Sequence, residues 1–208
     1  MKIAFISDVH GQWDTYEEIC AKYDRTIQVG DFGIGFEKEA CRESPRLSMN
    51  HRFIRGNHDN PQKCYAHPNH IKDGTIEVIG DTKVMFIGGA WSSDQHRRTE
   101  GVNWWRDEEC SYADFQRFID LYEHEKPDMM VTHDCPIDFA NLFMLGAHKR
   151  PYPSITGCSL QFMHNIHKPK TWVFGHWHSD IVQLHKGTLF VCNSDTNRFN
   201  HGVSILDL

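Results

Sequence analysis

The sequence predicts an α/β fold, and three observations predict it. Short, almost unbroken apolar runs such as Ile3–Ile6, Thr26–Val29 and Asp128–Thr132 read as strands buried on both faces. Between several of them, apolar residues recur at three- and four-residue intervals, the period of an amphipathic helix. Most of the runs end on glycine or on a metal-binding side chain, as strands do where an α/β sheet turns its C-terminal ends toward a site. At 208 residues the chain is expected to be one domain, residues 1–208, large enough to bury roughly 70% of the surface its unfolded form would expose.

The first strand stops on Asp8 and His10, followed by Gly11. Two ligands one residue apart in an extended segment point the same way, because side chains alternate with period two. Gln12–Tyr23 carries Trp13, Tyr16, Ile19, Cys20 and Tyr23 at helical spacing. The strand Thr26–Val29 closes on Gly30-Asp31, and a Gly-rich turn, Phe32–Phe36, leads into the charged segment Glu37–Glu43, expected to form one or two helical turns. Arg52–Arg55 is a third strand, ended by Gly56-Asn-His-Asp59, and Pro61–Asp73 reads as irregular loop because it has no period. Thr75–Ile79 and Lys83–Ile87 form a hairpin around Gly80-Asp81.

A long polar and aromatic loop runs from Gly88 to about Arg106, and a loop of that length inside a domain points to function. Ser111–Glu125 is a helix with Phe115, Phe118, Ile119 and Tyr122 on one face, stopped by Pro127. The strand Asp128–Thr132 ends on His133. Ile137–Tyr152 has no clear period, and Pro151-Tyr-Pro153 is not regular structure. A helix over Cys158–Ile166 precedes the strand Thr171–Phe174, which runs into Gly175-His-Trp-His178. Strands over Ile181–Leu184, Leu189–Cys192 and Val203–Leu208 close the chain.

Composition narrows the function classes. No run approaches the ~18–20 apolar residues of a membrane span, and Lys2 leads straight into the first strand, so a cytoplasmic protein without a signal peptide is expected. Seven scattered cysteines without a Cys-x-x-Cys pair read as reduced thiols. A net charge of −6 leaves nucleic acid open as a substrate but offers no basic binding face. No feature of the sequence sets the oligomeric state.

Five strand ends thus carry metal-ligand chemistry: Asp8 and His10, Asp31, Asn57-His58, His133, and His176 with His178. Mixed Asp, Asn and His donors suit divalent first-row ions such as Mn, Fe or Zn, since neither thiolate nor an all-oxygen cage is offered. Seven of these eight side chains acting as ligands would exceed one tetrahedral ion and suit two ions sharing a carboxylate. Two dications facing two carboxylates retain positive charge for a hydroxide and an anionic substrate.

Asp8-x-His10, Gly30-Asp31, Gly56-Asn-His-Asp59, Thr132-His133 and Gly175-His-x-His178 together resemble the signature of the calcineurin-like metallophosphoesterases. The resemblance implies two facing mixed β-sheets flanked by helices, an α/β/β/α sandwich with a dinuclear site at the strand ends. It implies that Asp8, His10 and His178 bind one metal, that Asn57, His133 and His176 bind the other, and that Asp31 bridges them. His58 would bind phosphate and act as general acid, the alternative being a histidine that stabilises its turn. Manganese is favoured among the ions.

The chain departs from the protein Ser/Thr phosphatase branch, whose Gly-Asp-x-x-Asp-Arg-Gly motif meets Ile34 and Gly35 here, so both the supporting Asp and the phosphate-gripping Arg are missing. Phe53-Ile-Arg55 resembles that branch, and Arg55 is a candidate substrate contact or else a strand-end ion pair. Gly88–Asp94, with Arg98 and Trp104-Trp105, resembles small bacterial and phage-type members, in which Arg98 would replace the missing clamp. The tryptophans either stack on substrate or pack beneath the loop. The expected function is a dinuclear phosphoester hydrolase, with phosphodiesters of small-molecule or nucleotide type favoured. The alternatives are a phosphomonoesterase or protein phosphatase, a dinuclear hydrolase of another bond such as an amide, and a non-catalytic protein-interaction scaffold of the same fold.

Overall fold

The computed structural model describes residues 1–36, 43–144, 154–196 and 202–208. In chain order the first elements are β1 (Lys2–Ile6), α1 (Trp13–Cys20), β2 (Thr26–Val29), β3 (His51–Ile54) and α2 (Pro61–Ala66). The hairpin β4 (Thr75–Ile79) and β5 (Thr82–Ile87) follows, then α3 (Tyr112–Glu125), β6 (Met129–Thr132), α4 (Ile137–Phe139) and α5 (Ile155–Ile166). The chain closes with β7 (Thr171–Phe174), β8 (Ile181–His185), β9 (Thr188–Cys192) and β10 (Val203–Asp207).

These strands form two mixed sheets, a four-stranded one in the order β10-β1-β2-β3 and a six-stranded one in the order β4-β5-β6-β7-β9-β8. β1, β2 and β3 run parallel, and β10 pairs antiparallel with β1, setting Ile3 opposite Leu206. In the larger sheet β5, β6, β7 and β9 are parallel, while β4 and β8 flank them antiparallel.

Period-two alternation explains how the sheets stack. Ile3, Phe5, Ile27, Val29 and Ile54 of the smaller sheet meet Val84, Phe86, Met129, Val131, Val173 and Val191 of the larger. The other face of the larger sheet, with Met85, Ile87, Met130, Trp172, Phe174 and Phe190, is covered by Phe115, Phe118 and Tyr122 of α3 and Leu160 and Met163 of α5. On the far side, Ile6 and Phe53 pack under Trp13, Tyr16 and Cys20 of α1, with Phe32 between. Burying each such side chain contributes about 1.5–3 kcal/mol, and three stacked layers of them fix the sheets rigidly enough to aim the loops at their ends. The result is the helix–sheet–sheet–helix sandwich that the resemblance implied.

Local chemistry accounts for the helix ends. Ser111 and Asp114 form a reciprocal capping box at α3, whose last carbonyls are closed by Lys126 in a left-handed conformation (φ 47°) before Pro127. α5 begins three residues earlier than Cys158, because the Ser154 side chain accepts from the Gly157 N–H at 2.8 Å. Pro61–Asp73 is not all loop: Asn60 caps Lys63 N at 3.2 Å and Pro61 occupies the first helical turn of α2. Six residues are too few to show a helical period, but the Asn-Pro pair carried the signal. The unclear segment after Pro136 is α4, running on as a single wide turn over Ala140–Met144. Most of the expected Glu37–Glu43 turns, and Pro151-Tyr-Pro153, lie outside the described residues. Among the described residues no helix is long and apolar enough to cross a membrane.

Candidate metal centre

The loops after β1, β2, β3, β6, β7 and β9 meet at one end of the sandwich and are laced together through their backbones. His10 N donates to Asp31 O at 2.8 Å and Gly11 N to Phe32 O at 3.0 Å, while Gly175 N reaches His133 O at 3.1 Å. Five of the residues expected as ligands sit in left-handed backbone: Asp8 (φ 41°), His10 (47°), Asp31 (56°), His176 (67°) and His178 (48°). Such angles are uncommon away from glycine and are held here by the surrounding hydrogen bonds and packing.

The side chains fall into two groups with one member in common. Ligand atoms of Asp8, His10, Asp31 and His178 all lie within 4.8 Å of one another. Within this group His10 Nε2 and His178 Nε2 are 3.2 Å apart, and Asp8 Oδ2 is 3.6 Å from His178 Nε2. In the second group Asn57 Oδ1 lies 3.1 Å from His133 Nε2 and 3.0 Å from His176 Nδ1. Asp31 belongs to both: its Oδ2 is 3.7 Å from His10 Nε2, and its Oδ1 is 3.1 Å from His133 Nε2.

A further layer orients these groups. His133 Nδ1 donates to Val29 O at 2.9 Å, which directs Nε2 inward, and Asp195 Oδ2 stands 3.5 Å from the outer nitrogen of His178. Asn57 Nδ2 donates to Ser92 Oγ at 3.0 Å, and that hydroxyl donates to the buried Glu108 at 2.6 Å. The buried Asp59 carboxylate accepts from four backbone N–H groups, those of Phe32, Gly33, Ile34 and Gly56, and so ties the β2 and β3 loops together. Sequence reasoning assigned no role to Asp59, Ser92, Glu108 or Asp195. Asp59 stood inside a recognised motif, and Asn193-Ser-Asp195 is one more polar end to an apolar run. Ser92 stood inside the Gly88–Asp94 stretch, whereas Glu108 carried no comparable signal.

Electrostatics supports a cation at the centre. Burial pushes the Asp8 carboxyl up to about 6, aided by Asp31 and opposed by His133, and Asp8 Oδ2 is a buried oxygen without a hydrogen-bond partner. Burial alone would raise Asp31 too, but His133 and His58 outweigh it and hold its carboxyl well below the usual range. Burial would lower His133, yet the Asp31 carboxylate, with Asp8, raises it to about 10. Burial brings His176 down to about 4, so its imidazole is neutral at neutral pH. An unpartnered buried carboxylate oxygen among imidazole nitrogens and an amide oxygen is a donor set that fits divalent first-row ions.

Glycine marks where a side chain would intrude. A Cβ on Gly56 would stand 2.1 Å from Asp31 Oδ1 and 2.8 Å from His133 Nε2. Gly56→Ala is therefore expected to displace the shared carboxylate, costing about 1–3 kcal/mol and lowering Tm by roughly 2–12 °C. Calorimetric melting and a metal titration of the variant check this, and wild-type values in both would refute it.

The substrate-side expectations separate. Arg98 is at the site: its Nη2 lies 2.8 Å from His58 Nε2 and 2.7 Å from Asp94 Oδ1, and its Nη1 donates to Ser92 Oγ at 3.2 Å. Phe36 stacks on the His58 ring at 4.6 Å and also faces the Arg98 guanidinium. The His58 backbone N–H donates to Asp31 Oδ1 at 2.7 Å. Arg55, by contrast, does not fit the role of a substrate contact. It is 1% exposed, pairs with Asp73 at 2.8 Å, and donates to the carbonyls of Asp107 and Glu108 and to Cys110 Sγ. Its guanidinium is spent on pinning the base of the long loop, the ion-pair alternative in a buried form. Trp105 is buried in that loop, near Phe36.

The model of the calcineurin-like phosphoesterases matches residues 1–180. No curated protein matches the chain. Among solved structures, GAP50, described as the anchor in the inner membrane complex of Plasmodium, shares the fold with a TM-score of 0.52 at 11% identity, over 92% of this chain and 70% of its own. A putative 5'-nucleotidase from Staphylococcus aureus has a TM-score of 0.51 at 13% identity, over 100% of this chain and 53% of its own. A conserved Streptococcus pneumoniae protein described as a predicted phosphoesterase has a TM-score of 0.47 at 16% identity, over 99% of this chain and 83% of its own. With the match running through every strand end expected to carry a ligand, up to His178, the chain belongs to the calcineurin-like phosphoesterase family.

Proposed function

We propose that the chain is a phosphoester hydrolase that uses two divalent first-row ions, manganese favoured, and prefers phosphodiesters of small-molecule or nucleotide type to monoesters. The observation that carries this reading is the division of Asp31, one oxygen toward the Asp8, His10 and His178 group and the other toward His133, whose same nitrogen meets Asn57 Oδ1. Asp8, His10 and His178 would hold one ion, Asn57, His133 and His176 the other, and Asp31 both. When bound, the ions would supply Lewis acidity at the phosphoryl oxygens and a water acidic enough to attack near neutral pH.

The chain's own residues handle the rest. Arg98 can only donate, so its contact with His58 Nε2 makes that nitrogen the acceptor and leaves the ring proton on Nδ1. Burial pushes His58 down to about 4, partly offset by Asp31 and reinforced by His10 and Arg98. An anionic phosphate drawing the guanidinium to itself frees Nε2 and favours the imidazolium, which then has a proton to give the leaving oxygen. A monoester dianion calls for more cationic groups than a diester. Ile34 and Gly35 supply none, and Arg98 is already shared with Asp94.

Fold alone does not choose among activities, as the anchor and the putative nucleotidase show by sharing this one. The complete donor set favours an enzyme over a scaffold. The test is kcat/KM with added Mn²⁺ for bis-nitrophenyl phosphate, nitrophenyl phosphate and a nitroanilide. Diester cleavage at least equal to monoester cleavage, with no amide cleavage, is expected. Inactivity on both esters would refute the reading, and cleavage of the monoester alone would reverse the stated preference.

A further inference from the structure

We propose that Ser92 is a positioning residue through which one hydroxyl, seated on the buried Glu108 carboxylate, sets both the Asn57 amide and the Arg98 guanidinium. The inference rests on the dinuclear reading above and names what couples its metal side to its substrate side.

A serine hydroxyl has one proton and two lone pairs. Ser92 Oγ gives its proton to Glu108 Oε2 at 2.6 Å. It accepts from Asn57 Nδ2 at 3.0 Å and from Arg98 Nη1 at 3.2 Å. All three capacities are thereby used, and their sense is forced. A carboxylate only accepts, so the proton must go to Glu108, and only donors can occupy the two remaining positions. The Asn57 NH₂ must therefore face Ser92, which turns its Oδ1 toward His133 and His176, the orientation a metal ligand needs. Ser92 is itself fixed, because its backbone N–H donates to the other Glu108 oxygen at 2.9 Å and it is 1% exposed. Arg98 is steered by the same atom toward His58. The two functional groups lie 41 residues apart in sequence, and the shared acceptor makes them one unit.

Ser92→Ala removes that acceptor. The Asn57 amide then loses the acceptor that fixes its NH₂, and Arg98 loses one of its Nη1 acceptors while keeping Asp94, His58, the Asn103 carbonyl and the Phe36 ring. Loss of such an outer partner costs about 10–100-fold in metal affinity. Glu108→Gln is a subtler change: its amide puts a donor against either the Ser92 hydroxyl or the Ser92 N–H, which conflicts with the forced sense while preserving shape.

The experiment titrates metal-free wild type, Ser92→Ala, Ser92→Thr and Glu108→Gln with Mn²⁺, read by calorimetry and electron paramagnetic resonance. Competitive inhibition by inorganic phosphate is measured on the loaded proteins. For Ser92→Ala we expect one of two Mn²⁺ sites to weaken about 10–100-fold with the other unchanged, and the phosphate inhibition constant to rise. Ser92→Thr, which keeps the hydroxyl, should restore both, and Glu108→Gln should show the same split in smaller measure. In a cycle with Arg98→Ala, the effects on phosphate binding should fall short of additive, since both variants remove one interaction. A Ser92→Ala protein with two wild-type Mn²⁺ sites overturns this inference alone, as does equal weakening of both sites. A wild type that takes up no Mn²⁺, or only one ion, overturns the dinuclear reading and this inference with it.

Discussion

Asp31→Ala is expected to lower kcat by roughly 10⁴-fold or more and to weaken metal uptake at both donor groups at once. Removing a single transition-state donor from an enzyme costs about 10²–10³ in kcat. Asp31 stands to cost more because each of its oxygens faces a different group, Oδ2 toward His10 and Oδ1 toward His133. Its loss also leaves His133 without the carboxylate that raises it to about 10, and leaves the His58 N–H without its acceptor. His10→Ala is the contrasting variant, since His10 belongs to one group only, and it should weaken chiefly one ion. Metal analysis beside turnover checks both. A wild type that is fully active and saturated with a single ion would sink the shared-carboxylate model, as would an Asp31→Ala protein that still holds two.

The second large effect is on the leaving group. His58→Ala should reduce kcat/KM by roughly 10²–10⁴-fold on diesters with basic leaving groups, and far less on nitrophenyl esters, whose leaving oxygen needs little protonation. Metal content should be unchanged, because alanine retains the backbone N–H that donates to Asp31 Oδ1. The loss is separable from that of Arg98, whose removal takes a cation from the phosphate but not a proton from the leaving oxygen. Comparing a dinucleotide with bis-nitrophenyl phosphate, wild type against variant, reads the difference. Equal impairment on both esters would assign His58 to binding or to its turn.

The strands were legible because each is an apolar run closed by glycine or a polar side chain, and β1, β2, β6 and β7 lie where those runs are. Their order was not. β9 enters between β7 and β8, so the strand that follows β7 in sequence is not its neighbour in the sheet, and the apolar runs alone do not say which strand of the β8–β9 hairpin pairs with β7. α2 escaped because absence of a period outweighed the Asn60-Pro61 start signal. All seven residues expected to bind metal are brought together at the sheet ends, since a strand delivers its terminal side chains in a fixed direction. Arg55 read as a substrate contact because a strand-end arginine looks the same whether the loop above it opens or closes, and here Asp107, Glu108 and Cys110 close over it. The roles of Ser92, Glu108 and Asp195 went unread for a related reason: each depends on partners distant along the chain.

The left-handed backbone at Asp8, His10, Asp31, His176 and His178 has a consequence for how the protein can evolve. Each such residue costs about 1 kcal/mol relative to relaxed backbone, so five together reach the scale of the net stability of an ordinary domain, about 5–15 kcal/mol. Chemistry and durability therefore pull against each other at the same five positions. A lineage that abandoned catalysis would gain stability by drifting toward glycine there, whereas one that keeps catalysis must hold the apolar contact between its two sheets intact. The interior of the sandwich is in this sense as much a requirement of the reaction as the ligands are, and variants weakened in that interior should lose function before they lose their fold.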